Sequence, residues 1–291
     1  MTPVPLTVTV RGRLSDLQPA MRRVGEYVLA DPSRASAMTI TDLASACHTS
    51  EATVIRFCRE LGLRGYPQFR LALAAEMGLR EGSASAPAPS GDISPGDDLA
   101  SVIEKIAFAD ARAVEDTARS LSVVELEAVV DTIVTAPRVD IYGVGASGFV
   151  AADLQQKLHR IGRVAFAFPD AHLALMSAAL LGPGDVAIGI SHTGTTYDTL
   201  DAVRVAAEHG ATTVALTNAP RSPLATAADH VLRTAARETT FRSGATASRL
   251  AQLTVVDCVF VAVAQRTYEQ SQAALEKTYD AVRDRRSRPP R

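Results

Sequence analysis

The chain has 291 residues, long enough for about two domains with separate hydrophobic cores. Hydrophobic residues make up 47%, aromatics only 5%, and Trp is absent, so Ala, Val and Leu carry the packing. A net charge of −2 excludes a globally basic surface for nucleic acid and leaves room only for a local one.

Residues 1–12 carry two prolines and no helical period, and read as a loose arm. From Leu14, Leu17, Met21, Val24 and Val28 step by three and four along one helix face, which Asp31-Pro32 ends. Thr39-Ile-Thr-Asp42 matches a capping signature and opens a short helix through Leu43 and Cys47. His48-Thr49 make a tight turn. Ser50 caps a second helix whose buried side is Val54, Phe57 or Cys58, and Leu61, stopped by Gly62. Tyr66-Pro67 starts a further helix with Phe69, Leu73 and Met77 inward.

Two short helices joined by three or four residues and flanked by others follow the helix-turn-helix plan. The outward residues of the second helix are Glu51, Ala52, Thr53, Arg56, Arg59 and Glu60. Ser50, Ala52 and Thr53 can meet base edges, and Arg56 a base or a phosphate. The candidate DNA-facing set is therefore Thr39, Ser50, Glu51, Ala52, Thr53, Arg56 and Arg59. Over residues 11–80, ten Arg against seven Asp and Glu give +3, the sign that DNA requires. A small helical dimerisation domain is the plainer alternative.

Composition shifts over Glu81 to Pro95, where Gly, Ser, Ala and Pro show no apolar period; a flexible linker over 81–98 is expected. Leu99 to Ser120 reads as a helix with Val102, Ile106, Ala109 and Ala113 in its stripe, and Leu121 to Thr135 as another. From Pro137 strands and helices alternate, with strands at Val139–Tyr142, Val164–Phe168, Val186–Ile190, Thr213–Thr217 and His230–Leu232. That rhythm predicts an α/β doubly wound, parallel five-stranded sheet, with ligands at the carboxyl ends of its strands. A long apolar helix, Leu250 to Ala264, closes the domain, and the Arg-rich end reads as a disordered basic tail. The expected domains are 13–80, the linker 81–98, 99–275 and the tail 276–291.

Asp185-Val-Ala-Ile-Gly-Ile runs straight into Ser191, His192, Thr193, Gly194, Thr195 and Thr196. A buried strand delivering hydroxyls and N–H groups to a helix start is a cradle for phosphate. The first strand ends in a second such turn, Gly143-Val-Gly-Ala-Ser-Gly148, and both turns point to one pocket. That turn also fits G-x-G-x-x-G, with Asp170 about twenty residues on, the pattern of a dinucleotide site. Against an NAD-responsive repressor stand the side-chain hydroxyl of Ser147 and the second hydroxyl-rich loop, both explained by one compact phosphorylated ligand. Cys47, Cys58 and Cys258 are too few and scattered for a disulfide framework or zinc site, and read as small core residues. No apolar run reaches about 18 residues and no signal peptide is evident, so a soluble, cytoplasmic protein is expected, with no membrane contact.

Leu43 to Leu73, above all Ser50-Glu-Ala-Thr-Val-Ile-Arg-Phe-Cys-Arg-Glu-Leu-Gly62, resembles the helix-turn-helix of RpiR-type transcriptional regulators. Gly143–Gly148, Ser191–Thr196 with Gly210-Ala211, Ser222-Pro223-Leu224, and Glu238 with Ser243-Gly244 and Ser248-Arg249 resemble their sugar isomerase (SIS) domain, of flavodoxin-like fold. The resemblance covers residues 13 to 268 in the family order. It implies a DNA-binding regulator of sugar or amino-sugar metabolism that senses a sugar phosphate and whose SIS domain dimerises. Symmetry then predicts paired heads on an inverted-repeat operator, in a homodimer or homotetramer. By similarity Ser147, Ser191, Thr193 and Thr196 hold the phosphate and Glu238 faces the sugar. Gly145, Ala146, His192, Gly194 and Thr195 complete the ligand set; no cofactor or metal is expected. His48 stands where glycine is usual, a residue type that tolerates left-handed backbone, and Thr193 replaces a commoner Ser. Isomerase activity is the remaining alternative, with Glu238 as base assisted by His172 or His192. A pocket on a DNA-binding head serves as a sensor without turnover.

Overall fold

The structure is a computed structural model that describes residues 5–85, 92–238 and 247–283, and the chain divides into two compact units, residues 1–90 and 91–291.

The first unit is all helical: α1 (Leu6–Arg13), α2 (Pro19–Ala30), α3 (Pro32–Ala37), α4 (Ile40–Ala46), α5 (Glu51–Glu60) and α6 (Tyr66–Ser85). Its core gathers Val24 and Val28 from α2, Leu43 from α4, Val54, Phe57 and Cys58 from α5, and Phe69 and Leu73 from α6. Each fully buried side chain of this size contributes about 1.5–3 kcal/mol. Burial pushes the Cys58 thiol up to about 12, which keeps it protonated and inert. The caps fall where the sequence places them. Thr39 accepts from the Asp42 amide, Ser50 accepts from the Thr53 amide, and Gly62 takes φ +82°.

Residues 6–13 are a correction: the expected loose arm is a helix. Leu6 and Val10, one turn apart, are buried, and the Thr7 amide donates to Glu76 Oε2 at 3.1 Å. Tertiary burial overrides the weak helix preference of Thr-Val-Thr-Val. Helix α6 likewise runs on to Ser85, into the expected linker, and residues 86–91 lie outside those described.

The second unit holds α7 (Leu99–Ser120), α8 (Val123–Thr135), β1 (Val139–Tyr142), α9 (Ala146–Arg160), β2 (Ala165–Phe168), α10 (Ala171–Ala178), β3 (Val186–Ile190), α11 (Tyr197–Glu208), β4 (Thr212–Thr217), α12 (Pro223–Ala227), β5 (His230–Arg233), α13 (Ala247–Arg266) and α14 (Tyr268–Arg283). The five strands are parallel in the order β2-β1-β3-β4-β5. Alternate side chains feed opposite layers. Ile141, Val186, Ile188, Val214 and Leu216 pack with α8, α9 and α13, whereas Tyr142, Ala187 and Ala215 pack with α10, α11 and α12. Both faces are covered, which is why the strands read as unbroken apolar runs. Among the described residues α13 alone is long and apolar enough to cross a membrane; its Val255, Val256, Val259 and Val263 are instead buried in the core.

Two further expectations change. The stripe on α7 is fully buried only at Ala113, while Leu99 and Ile103 are 81% and 67% exposed. Residues 268–283 form α14 against α9 and α13, so helix occupies part of the expected tail; residues 284–291 lie outside those described.

Candidate functional site

In this sheet the chain leaves β1 toward β2 on one side and returns to β3 on the other. The loops after β1 and β3 therefore part at the carboxyl edge, and the crevice between them is the switch point. There lies a cavity of about 190 Å³, lined by Val144, Ala146, Ser147, Ile190, Ser191, His192, Thr193, Thr196, Glu238, Ser248 and Gln252. It is smaller than the roughly 300–1,000 Å³ typical of drug-sized ligands, so it suits a compact molecule.

The backbone explains how the two turns reach it. Gly145 sits at φ +59° at the start of α9, and a Cβ on Gly143 would lie 2.8 Å from the Ser147 carbonyl oxygen. Gly194 sits at φ +64°, where a Cβ would fall 2.0 Å from Ser222 Oγ. Its amide donates to Ser191 Oγ at 3.0 Å, and Ser191 Oγ and Thr196 Oγ1 are 3.0 Å apart. The loop is thus pre-shaped by its own hydroxyls.

Helix capping sets these two turns apart. In the same unit Asp98, Ser122, Asp170 and Ser222 each accept a first-turn amide of their helices. Gly145 and Thr196, which open α9 and α11 at the cavity, make no such side-chain bond. No cap side chain occupies the first-turn N–H groups of these two helices, and both start beside the cavity, an arrangement that favours an anion there. Among the described residues no Lys or Arg lines the cavity, and the groups that face it there are hydroxyls and helix starts.

Of the expected ligand residues, Ala146, Ser147, Ser191, His192, Thr193, Thr196 and Glu238 line the cavity. Gly145, Gly194 and Thr195 shape the loops without lining it; the Thr195 hydroxyl lies 2.8 Å from that of Thr193. His172 is exposed on α10 and does not line it. Asp170, the acid a dinucleotide needs, caps α10 by accepting from the Leu173 amide at 2.9 Å. Sequence reasoning missed Gln252 and the lining role of Ser248, whose hydroxyl donates to Glu238. A Ser and a Gln at i, i+4 on an otherwise apolar face were the available signal. A larger, open groove of about 660 Å³ along α9, lined by Phe149, Gln156, His159 and Thr278 among others, has no comparable loops.

In the first unit α4 and α5 meet through Cys47–Ser50, with His48 at φ +48°. Arg23 on α2 donates to the carbonyls of Cys47 and His48, at 3.1 and 3.0 Å. Thr39, Ser50, Glu51, Ala52, Arg56 and Arg59 are exposed. Thr53 is a correction: only 5% exposed, it does not face outward. As the third residue past the cap it turns back onto the helix start, where its hydroxyl lies 3.1 Å from Ser50 Oγ and accepts from Arg56 Nη2 at 3.2 Å. The Glu51 carboxylate accepts from Thr41 at 2.6 Å, tying α5 to α4.

Residues 6–79 match the model of the helix-turn-helix domain of the rpiR family, and residues 132–262 that of the SIS domain. An HTH-type transcriptional regulator of Caldanaerobacter subterraneus subsp. tengcongensis is 39% identical, covering 94% of this chain and 95% of its own. The HTH-type transcriptional regulator RpiR of Escherichia coli strain K12 is 33% identical over 88% of this chain and 85% of its own. The solved structure of the Vibrio vulnificus NanR protein complexed with ManNAc-6P is 30% identical, with a TM-score of 0.61, over 97% of this chain and 100% of its own.

Proposed function

The chain belongs to the RpiR family of transcriptional regulators, a helix-turn-helix domain followed by a SIS domain, and from that premise we propose that its cavity senses a sugar phosphate and that the ligand alters its grip on operator DNA. One observation carries this reading. Two uncapped helix starts and the hydroxyls of Ser147, Ser191, Thr193 and Thr196 meet at one small cavity. The NanR relative complexed with ManNAc-6P supports a sugar phosphate as the ligand class.

In this account the phosphate is bound by hydroxyls and first-turn amides, and Glu238 accepts from the sugar. The pocket works as a sensor without turnover. Glu238 already accepts from Ser248, which suits a carboxylate that holds a hydroxyl rather than one that shuttles a proton between carbons. The protein acts in the cytoplasm, as a homodimer or homotetramer whose paired heads read an inverted repeat. The exposed apolar Leu99 and Ile103 on α7 support association between copies. The ligand must favour one arrangement of the paired heads over the other, since equal affinity for both shifts nothing.

A thermal-shift screen of sugar and amino-sugar phosphates, followed by gel shifts of two variants, tests this. Arg56→Ala is expected to weaken operator binding sharply and retain the thermal shift. Ser191→Ala is expected to retain operator binding and blunt the response. An intact response in Ser191→Ala rules out the pocket assignment.

A further inference from the structure

Phosphate recognition is common to all sugar phosphates, so it cannot tell one sugar from another. Discrimination has to come from the rest of the cavity wall. That wall is built by Glu238 and by Ser248 and Gln252, which stand four residues apart on one face of α13. The Ser248 hydroxyl is already committed to Glu238. Gln252 is 2% exposed, and its Nε2 is buried with no hydrogen-bond partner. His192 Nδ1, across in the β3–α11 turn, is buried and unpartnered as well. Two orphaned nitrogens at one cavity are unusual, because a buried polar atom left unpaired costs more than an ordinary hydrogen bond gains. At the wall of a cavity, an incoming molecule can supply the missing partner.

We infer that Gln252 determines which sugar the pocket accepts: its Nε2 donates to a hydroxyl or carbonyl oxygen at the carbohydrate end of a sugar phosphate, while His192 Nδ1 engages a second polar group of the same ligand. This rests on the sugar-phosphate reading of the cavity. A sugar that presents an oxygen at Gln252 satisfies the orphaned donor. One that presents a bare methylene leaves it unpaired and loses affinity about ten- to a hundredfold. The phosphate end, held by the hydroxyls and helix starts, is indifferent to that difference.

The test uses calorimetry on the full chain with inorganic phosphate and a panel of hexose and aminohexose 6-phosphates. Gln252→Met keeps the length and removes the donor, and Gln252→Glu keeps the shape but puts an acceptor beside Glu238. In both, the best wild-type sugar phosphate is expected to weaken about ten- to a hundredfold, and affinities across the panel to converge. Inorganic phosphate separates the two walls, because its affinity should fall in Ser191→Ala and move by less than about twofold in Gln252→Met. The ligand-free Tm of Gln252→Met should not drop, since no partnered donor is lost. If Gln252→Met leaves the spread across the panel unchanged, or lowers the Tm while the ratios persist, the amide is structural and the inference fails although the pocket reading stands. If the wild type binds no sugar phosphate at all, the pocket reading itself falls and takes this assignment with it.

Discussion

The guanidinium of Arg23 and the carbonyl of His48 are joined by a 3.0 Å hydrogen bond, at the one described non-glycine residue whose φ is positive. The same guanidinium holds the carbonyl of Cys47. A residue of α2 therefore fixes the turn that sets α5 against α4, and with it the aim of Ser50, Ala52 and Arg56. A left-handed backbone at a residue with a Cβ is strained, and the Arg23 fork is what over-determines it.

Arg23→Ala removes both bonds and should destabilise the helix-turn-helix by about 1–2 kcal/mol. Operator affinity should fall with it. Lys at 23, a point charge without a fork, should recover only part. His48→Gly relieves the backbone and should gain about 0.5–1 kcal/mol. Amide exchange over residues 38–62 during urea titration reads both effects; equal protection in wild type and Arg23→Ala would show that the turn holds without the clamp.

Gly194 gives a second test, aimed at the anion loop. At φ +64° any side chain is strained, and a Cβ would fall on Ser222 Oγ, the cap of α12. Gly194→Ala should cost about 2 kcal/mol or more and abolish the thermal shift with sugar phosphates. Gly182→Ala is the control: no atom lies within 4 Å of its added Cβ and φ is not positive there, so the change should stay within about 0.5 kcal/mol. Similar losses in the two variants would mean that loop shape is not what Gly194 secures.

Most of the second unit was legible because its strands are buried on both faces and announce themselves as short Val- and Ile-rich runs ended by turns. Strands β1 and β3 lie where the sequence puts them, and α7 begins and ends at the expected residues. The caps Thr39 and Ser50 and the stop at Gly62 were readable for a local reason: each is chemistry within four residues. What failed was non-local. Helix α1 is held by the burial of Leu6 and Val10 and by Thr7 meeting Glu76, sixty-nine residues away. Gln252 matters only because α13 brings it to turns that lie about sixty and one hundred residues earlier in the chain. Thr53 looked outward because one helix turn can present or bury its third residue, and the choice was made by Ser50 and Arg56.

That last contact yields a prediction that separates positioning from direct reading. Thr53 is buried, and its hydroxyl accepts from Arg56, so its contribution to operator binding should pass through the guanidinium. Thr53→Val keeps the shape and removes the acceptor, and should weaken operator binding roughly three- to tenfold, the value of one modest hydrogen bond. In an Arg56→Ala background the same change should cost nothing measurable, because the group it orients is gone. The four affinities form a double-mutant cycle whose interaction energy should equal the whole cost of Thr53→Val. Gel shifts at several salt concentrations should be used, since Arg56→Ala also removes a charge near phosphate and flattens the salt dependence by about one counterion per head. Were Thr53→Val to cost as much without Arg56 as with it, Thr53 would have to touch DNA itself, and α5 would have to move on binding to expose it.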